Sequence, residues 1–261
     1  MLPIVLHHGI LGRDSLQIGP FEWAYFGGGI EPAIKARGHK IIRGSVDRTG
    51  SIQLRATQLK ETILKRLSEW GTPNQRVIIL AHSMGGLDAR YMISRLDMAP
   101  RVAGLVTICT PHRGSSYAEW TLKAIHRLNA YQFMRLIRIG LDGARDMTRE
   151  AMRRFNEETP DHPDVRYFSI SAARPWHRVP PFLMHSHRIV TRLEGANDGV
   201  VSVASAQWGE HLGTWPAHHV HAVNRRLELA LRRRTGCMLP RYNELLDHVT
   251  AACGKGCGGT S

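Results

Sequence analysis

The chain has 261 residues, of which 43% are hydrophobic and 22% are charged; this balance is typical of a folded globular protein and excludes a disordered chain. No apolar run approaches the roughly 20 residues that a membrane-spanning helix needs, so we expect no such helix. Lys and Arg number 35 against 22 Asp and Glu, and the resulting net charge of +13 favours anionic ligands or surfaces. No zinc-finger, homeodomain or RNA-binding signature accompanies this charge, so we predict no nucleic-acid partner.

Short apolar runs alternate with amphipathic stretches along the chain. The apolar runs predict strands at Pro3–His7, Lys40–Gly44, Arg76–Ala81, Val102–Cys109 and Val165–Ser169, with a sixth candidate at Arg188–Arg192. The amphipathic stretches predict helices at Gly28–Arg37, Ser51–Glu69, Met84–Arg95 and Val220–Arg234. This alternation indicates the α/β class, with a mainly parallel sheet of about six strands flanked by helices.

Residues 114–163 interrupt this alternation and form a candidate insertion. From Trp120 to Ile139, apolar residues cover more of a helix circumference than one core-facing stripe requires. We predict a helical lid or cap over an apolar site, and the alternative is fixed core packing. The expected organisation is a single domain over residues 1–250 that carries this insertion, followed by a poorly ordered tail of small residues over 251–261.

The strongest functional signal is the segment Ala81-His82-Ser83-Met84-Gly85-Gly86, which stands between an apolar strand and a helix. A nucleophile on a sharp strand-to-helix turn needs small residues two positions before and after it, and Ala81 and Gly85 meet that need. Ser83 is therefore the candidate nucleophile. The same turn directs the amide of Met84 toward a carbonyl oxygen under attack, at the positive end of the following helix. The alternative is an ordinary serine in a tight turn.

A serine nucleophile also needs an oxyanion hole, a base and an acid. The segment His8–Gly12 follows the first strand and supplies a second oxyanion donor, the amide of Ile10. Asp198 is the candidate acid because it lies in a turn that opens into an apolar stretch, and Glu194 is the fallback. The candidate bases are the histidines after Trp215, namely His218, His219 and His221. Spacing alone does not choose among these three.

Together these segments resemble those of the bacterial true lipases, the triacylglycerol lipases and carboxylesterases of the α/β-hydrolase superfamily. The matching segments are His8–Gly12, Ala81–Arg90, Thr110–Ser115, Asn197–Val203 and Trp215–His219. The resemblance spans about residues 3–224 and implies an α/β-hydrolase fold with a Ser-Asp-His triad. In those lipases the late segment reads Ala-Asp-His-Leu-Asp-x-Val-Asn. Laid on Ala217–Asn224, it implies that His219 is the base and that Asp198, 21 residues earlier, is the acid.

Two residues depart from the lipase pattern. His218 replaces the Asp that precedes the catalytic histidine, and His221 replaces an Asp that binds the metal in calcium-binding members. Because neutral imidazole is a poor ligand for a hard cation, we carry over no calcium site. The spacing Cys253-x3-Cys257 has no companion pair, so we predict no metal and no cofactor. Cys109 lies in an apolar run and is expected to be a buried thiol.

The resemblance implies a carboxylic ester hydrolase, a lipase or esterase that works through an acyl-enzyme intermediate. A polyester depolymerase or a phospholipase would use the same triad, and a non-catalytic binding module with this fold is the alternative from another class. The expected partner is a lipid or another hydrophobic ester, with peripheral contact to a lipid surface and no obligate protein partner. No signal peptide is evident, which indicates a cytoplasmic protein or the mature form of a secreted one.

Overall fold

Six parallel strands form the central sheet of the computed structural model, which describes residues 1–10, 12, 15–18, 21–128, 141–225 and 236–254. The strands in chain order are β1 (Ile4–His7), β2 (Ser15–Ile18), β3 (Phe21–Ala24), β4 (Ile41–Gly44), β5 (Val77–His82), β6 (Val102–Ile108), β7 (Arg166–Ala172) and β8 (Glu210–Trp215). The central sheet has the order β4-β1-β5-β6-β7-β8, and β2 and β3 pair separately as an antiparallel hairpin.

The central strands β5 and β6 are buried along their whole length. Helices cover both faces of the sheet, and strands that are covered on both faces read as continuous apolar runs. The first four predicted strands are confirmed as β1, β4, β5 and β6, each to within one residue at either end. The fifth, predicted over Val165–Ser169, is confirmed as β7, which begins one residue later and extends to Ala172.

Helices pack on both faces of this sheet. They are α1 (Ile30–Ala36), α2 (Ile52–Glu69), α3 (Gly85–Arg95), α4 (Ser116–Arg127), α5 (Asp142–Asp146), α6 (Arg149–Glu158), α7 (Pro181–Glu194), α8 (Val203–Ala206) and α9 (Leu239–Gly254). The side chain of Ser51 accepts a hydrogen bond from the Leu54 amide and so caps the start of α2. The first three predicted helices correspond to α1, α2 and α3 and are confirmed.

The strand predicted at Arg188–Arg192 is wrong, because these residues lie within α7. Pro181 occupies the first turn of this helix, where the fixed φ of proline favours helix initiation. The buried positions of α7 are Leu183, Ser186, His187 and Val190. They recur every three or four residues, as residues on one face of a helix do. Because two of the four are polar, the sequence shows no apolar repeat with helical spacing here. The sixth strand of the sheet is instead β8, which lies at its edge.

The helix predicted over Val220–Arg234 is wrong in its first part. Residues His221–Val223 form a single 3-10 turn, and Asn224 ends this turn with a left-handed φ of 55°. Asparagine adopts this conformation more readily than most residues because its short polar side chain bonds locally. The side-chain amide of Asn224 donates to the carbonyl of Gly28 at 2.8 Å. The remainder of the prediction, residues 226–235, lies outside the described residues.

The insertion predicted over residues 114–163 contains α4, α5 and α6. The apolar helix expected from Trp120 to Ile139 begins earlier, at Ser116, and the described helix α4 ends at Arg127. Residues 129–140 of this prediction lie outside the described ranges. Helix α4 packs against both α5 and α7, so the insertion is joined to the body of the domain through α7.

Two apolar layers hold the helices on the sheet. In one layer, α1 and α9 bury residues such as Ile30, Ile34, Tyr242 and Leu246. In the other, α2 and α3 bury residues such as Leu59, Ile63, Ala89 and Met92. Helix α9 runs past position 250 to Gly254 and buries Cys253 in the first layer. Across the described ranges, we find no helix whose length and apolar character would allow it to span a membrane.

Candidate active site

Ser83 lies on a sharp turn between β5 and α3, at the carboxyl edge of the sheet. Its backbone has a left-handed φ of 55°, which is strained for a residue with a side chain and is typical of functional sites. The turn requires glycine nearby: a Cβ on Gly85 would lie 2.7 Å from the carbonyl oxygen of His8, and one on Gly86 would overlap Thr110 Oγ1. The small residues of the motif therefore allow the turn to pack against β1 and β6.

Ser83, His219 and Asp198 meet at this edge of the sheet. Nε2 of His219 lies 3.0 Å from Oγ of Ser83, and Nδ1 of His219 lies 2.7 Å from Oδ2 of Asp198. Because an ionised carboxylate only accepts hydrogen bonds, Nδ1 carries the imidazole proton and Nε2 is free to accept the serine proton. The backbone also joins the last two residues, since the amide of His219 donates to the carbonyl of Asp198 at 2.8 Å.

Asp198 is fully buried, and its second oxygen is held by backbone donors. Oδ1 accepts hydrogen bonds from the amides of Val200 at 2.9 Å and Val201 at 2.8 Å. Burial by itself raises the pKa of Asp198, but the interaction with His219 and the two amide bonds outweigh it, so the pKa lies below its usual value. The fallback acid Glu194 instead accepts from the amide of Ser116 and the hydroxyl of Ser202.

The structure separates the three histidines that spacing left unresolved. Among the described residues, only His219 of the three reaches Ser83. Nδ1 of His218 accepts a hydrogen bond from the amide of His221 at 3.2 Å, and burial lowers the pKa of His218 to about 3. Nε2 of His221 donates to the carbonyl of Gly236 at 2.7 Å. His218 and His221 therefore shape the backbone of the loop that carries His219.

His82 and Tyr25 form a second set of contacts that the sequence did not reveal. Nε2 of His82 donates to the carbonyl of His219 at 3.0 Å, so its Nδ1 accepts from the hydroxyl of Tyr25 at 2.8 Å. The same hydroxyl accepts from the amide of Gly9 at 3.4 Å. Burial, followed by the nearby His219, lowers the pKa of His82 well below its usual value. These bonds tie the loop after β1, the turn at Ser83 and the histidine loop together.

The two predicted oxyanion donors lie beside Ser83. Met84 is fully buried in the turn that opens α3, and Ile10 lines the cavity that also exposes Ser83. Neither amide donates a hydrogen bond to another residue in the described part of the chain. Gly9 brings the Ile10 loop close, because a Cβ at this position would lie 2.7 Å from Cβ of Ser83. The role of these two amides as oxyanion donors stays a prediction.

A buried ion pair fixes the loop that carries Ile10. Nε of Arg55 donates to Oδ2 of Asp88 at 2.8 Å, and Nε2 of His7 lies 2.8 Å from the same oxygen. Nη2 of Arg55 then donates to the carbonyl of His8 at 2.8 Å. Since Arg55 and Asp88 are fully buried, this network locks α2, α3 and the end of β1 in one arrangement.

An apolar cavity of about 570 Å³ opens over Ser83. Its walls come from the Ile10 loop, from α4 and α5 of the insertion, and from the loops that carry Asp198 and His219. Apolar wall residues include Ile10, Tyr117, Ala118, Met147, Val201 and Val220. Two arginines, Arg48 and Arg225, also line it. The volume falls within the range of roughly 300–1,000 Å³ that is usual for small-molecule sites.

One group of potential metal ligands lies within this site. Donor atoms of His82, Cys109 and His219 lie within 4.8 Å of one another. All four imidazole nitrogens already form hydrogen bonds, and burial, reinforced by the charge of Asp198, raises the pKa of the Cys109 thiol well above its usual value. A protonated thiol beside two engaged imidazoles is a poor cation site. The prediction that Cys109 is a buried thiol is confirmed.

Comparison with known proteins finds relatives in sequence and in fold. Triacylglycerol lipase 2 of Saccharomyces cerevisiae is 32% identical over 204 residues, which cover 75% of this chain and 61% of that protein. This chain thus spans less than two thirds of the yeast protein. It spans about a third of the triacylglycerol lipases of Pseudarthrobacter phenanthrenivorans and Burkholderia plantarii, each 31% identical over 122 residues, or 45% of this chain.

Solved bacterial lipases share the fold of this chain. The mature lipase BlEst2 of Bacillus licheniformis has a TM-score of 0.71 at 19% identity and covers 94% of this chain and 91% of its own. Staphylococcus hyicus lipase has a TM-score of 0.75 at 15% identity, over 98% and 97% of the two chains. At these identities the likeness is one of fold, and it confirms the predicted α/β-hydrolase architecture.

A family model described as the PGAP1-like alpha/beta domain matches residues 50–190, which are more than half of the chain and include Ser83. The sequence relatives are named as lipases and the solved structures as lipases with the same fold, so the resemblance drawn from the motifs is confirmed. The chain belongs to the family of PGAP1-like alpha/beta domains.

Proposed function

We propose that this protein hydrolyses carboxylic esters and that Ser83 is its nucleophile. The observation that carries the proposal is the pair of hydrogen bonds that joins Ser83 to His219 at 3.0 Å and His219 to Asp198 at 2.7 Å. Serine alone is a weak nucleophile, and a base held by a buried carboxylate activates it. The lipase relatives support ester hydrolysis as the activity.

In the first half of the reaction, Nε2 of His219 takes the proton of the Ser83 hydroxyl while Oγ bonds to the ester carbonyl carbon. The carbonyl oxygen becomes an oxyanion and accepts hydrogen bonds from the amides of Ile10 and Met84. Asp198 holds Nδ1–H and stabilises the imidazolium that forms. The bond to the alcohol then breaks, and Nε2 returns the proton to the departing alkoxide. An acyl group remains on Ser83.

In the second half, water takes the place of the alcohol. Nε2 of His219 removes a proton from this water as its oxygen attacks the acyl carbon, and the same two amides hold the second oxyanion. When the bond to Oγ breaks, the proton on Nε2 passes to Ser83 and the carboxylic acid leaves. The enzyme regains its starting protonation, so the only net reactant besides the ester is water.

The cavity supports a hydrophobic ester as the substrate. Wall residues from the insertion and from the Asp198 and His219 loops present apolar side chains above Ser83. Burial of an acyl chain against such a wall contributes roughly 0.8 kcal/mol for each methylene group. We therefore propose a lipase or esterase that accepts an acyl chain in this cavity.

Exposed aromatic and basic side chains near the cavity support contact with a lipid surface. Trp120 on α4 is 41% exposed and packs on the ring of His185, and Phe182 on α7 is 60% exposed. Exposed basic residues on the same two helices include Lys123, Arg127, Arg188 and Arg192. Aromatic rings favour the interfacial region of a bilayer, and Lys and Arg favour anionic headgroups. We propose that this surface approaches the lipid from which the ester is taken.

The test is hydrolysis of p-nitrophenyl esters of increasing acyl length by the wild type and by Ser83→Ala, His219→Ala and Ser68→Ala. Ser68 is exposed on α2, does not line the cavity, and serves as the matched control. We expect kcat to fall by about 10³-fold or more in the first two variants and to stay unchanged in the control. A folded Ser83→Ala protein that retains wild-type turnover would contradict the proposal.

A further inference from the structure

The charged side chains in the described part of the cavity wall are all positive. They belong to two arginines, Arg48 and Arg225, and this part of the wall contains no carboxylate. Arg48 is exposed, whereas Arg225 is partly buried in this largely apolar wall and loses part of its hydration, a loss that an acceptor of opposite charge can offset. Such an arrangement favours an anionic group on the molecule that fills the cavity.

Arg225 is held in place without a carboxylate partner among the described residues. Its guanidinium carbon lies 5.5 Å from the centre of the Tyr25 ring, and its Nη2 lies 3.5 Å from the carbonyl oxygen of Ala24. These two contacts orient the side chain but leave most of its five N–H donors available. A guanidinium group in this state matches the paired oxygens of a carboxylate or a phosphate.

Arg225 lines the same cavity as Ser83 and His219. The ring of Tyr25 under its guanidinium carries the hydroxyl that bonds to His82 at 2.8 Å, and His82 directly precedes Ser83. Arg48 approaches the same cavity from the loop after β4, so the two cations come from separate parts of the fold. An ester whose carbonyl contacts Ser83 and whose remainder occupies this cavity can therefore place a charged group beside Arg225.

We propose that the cavity selects esters that carry a negative charge on the part that occupies the cavity, bound by Arg225 with the help of Arg48. This inference rests on the proposed ester hydrolysis and names its substrate class. The shared chemistry is an oxyanion that accepts paired N–H bonds. It has two sources: a carboxylate in the acyl part of a soluble ester, or the phosphodiester in the alcohol part of a glycerophospholipid.

The experiment compares charged and neutral esters of similar size, one pair for each source. The first pair is mono-p-nitrophenyl glutarate and p-nitrophenyl valerate, and the second is short-chain phosphatidylglycerol and tributyrin, both below the concentration at which they aggregate. The Ser83→Ala protein supplies the background rate. The quantity measured is the ratio of kcat/KM for the charged ester to kcat/KM for its neutral partner, in the wild type, Arg225→Gln and Arg48→Gln.

We expect Arg225→Gln to lower this ratio about tenfold for the pair that matches the natural substrate, and Arg48→Gln to lower it less. Arg66→Gln removes the same unit of charge from the exposed face of α2, outside the cavity wall, and should leave both the ratio and the activity unchanged. Added salt should lower the wild-type ratio, because it screens the ion pair. An unchanged ratio in Arg225→Gln for both pairs would overturn the inference.

Binding separates this inference from the proposed function. The Ser83→Ala protein is titrated with mono-p-nitrophenyl glutarate in a calorimeter, with and without Arg225→Gln. Binding that depends on Arg225, without turnover of any ester by the wild type, would contradict the proposed hydrolysis but support the anionic subsite. Hydrolysis of the neutral esters that depends on Ser83, with no dependence of charged-ester binding or turnover on Arg225, would support the hydrolase and contradict the subsite.

Discussion

Gly9 faces Ser83 across the loop after β1, with no room for a side chain. A Cβ at this position would lie 2.7 Å from Cβ of Ser83 and 3.2 Å from its Oγ. We therefore predict that Gly9→Ala displaces the Ile10 amide and lowers kcat by about 10²-fold, the size of effect seen when one oxyanion donor is lost. Gly236→Ala is the control, since its added Cβ meets no atom of the described residues within 4 Å. Equal ester-hydrolysis rates in the two variants would contradict this account.

We expect substitutions of Asp198 and of Glu194 to have opposite effects on turnover. Asp198→Asn removes the carboxylate that fixes the tautomer of His219, and we expect kcat to fall by about 10⁴-fold while the fold is retained. Glu194→Gln leaves that contact untouched, because Glu194 bonds to Ser116 and Ser202. We expect it to keep near-wild-type turnover and to lose some thermal stability. The assignment of the acid is wrong if the two variants exchange these behaviours in ester hydrolysis.

The sequence predicted the turn that carries Ser83, the proposed nucleophile, because everything that defines this turn is local. The strand, the small residues around Ser83 and the following helix are contiguous, so one segment carries the whole signal. The choice of His219 among three neighbours depends on contacts over 136 positions with Ser83, and only the resemblance supplied it. The contact of His82 with Tyr25 spans 57 positions, and a histidine next to the motif gives no hint of its partner.

At the scale of the elements, one buried ion pair joins α2, α3 and β1. Arg55→Ala leaves Asp88 buried with its main counter-charge removed, and we predict a loss of about 3–5 kcal/mol in the free energy of unfolding. Arg153→Ala, which breaks exposed pairs with Glu150 and Glu157 on α6, should change stability little. Urea unfolding of the two variants measures this difference. Similar urea midpoints for both variants would show that the buried pair contributes little.

The elements that the sequence predicted are those whose own residues carry the signal. Strands β5 and β6 are apolar throughout because both of their faces are covered. Strand β8 was missed because it lies at the sheet edge, is only partly buried and contains Gly213 at a φ of 123°, where its pairing with β7 is irregular. Helix α7 was read as a strand because Ser186 and His187 occupy half of its buried face. In both cases tertiary contacts, and not local pattern, decide the structure.

At the scale of the whole molecule, buried histidines link stability to pH. Burial lowers the pKa of His8 and of His218 from 6.5 to about 3, and the pKa values of His7, His82 and His112 also lie below the usual value, with burial the main cause. These groups stay neutral in the folded protein but take up protons in the unfolded chain below pH 6.5. Their contribution to stability is therefore complete above pH 6.5 and is lost as the pH falls from 6.5 toward 3.

We predict that the free energy of unfolding falls by about 1.4 kcal/mol per pH unit for each such histidine once the pH is well below 6.5. Urea unfolding at a series of pH values between about 7.5 and 5 measures the slope, in a range that lies above the usual titration of carboxyl groups. His218→Gln removes one buried imidazole and should make the slope shallower. A stability that stays constant over this range would contradict the assignment of neutral, buried histidines.

The central claim is that Ser83 is a nucleophile activated by His219. The most direct test is labelling with a fluorophosphonate, which reacts with activated serines, followed by mass spectrometry of the peptides. We predict a single adduct on Ser83, none on this peptide in Ser83→Ala, and labelling slowed by orders of magnitude in His219→Ala. An intact, folded protein that takes up no label on Ser83, or that labels equally fast without His219, would contradict the account.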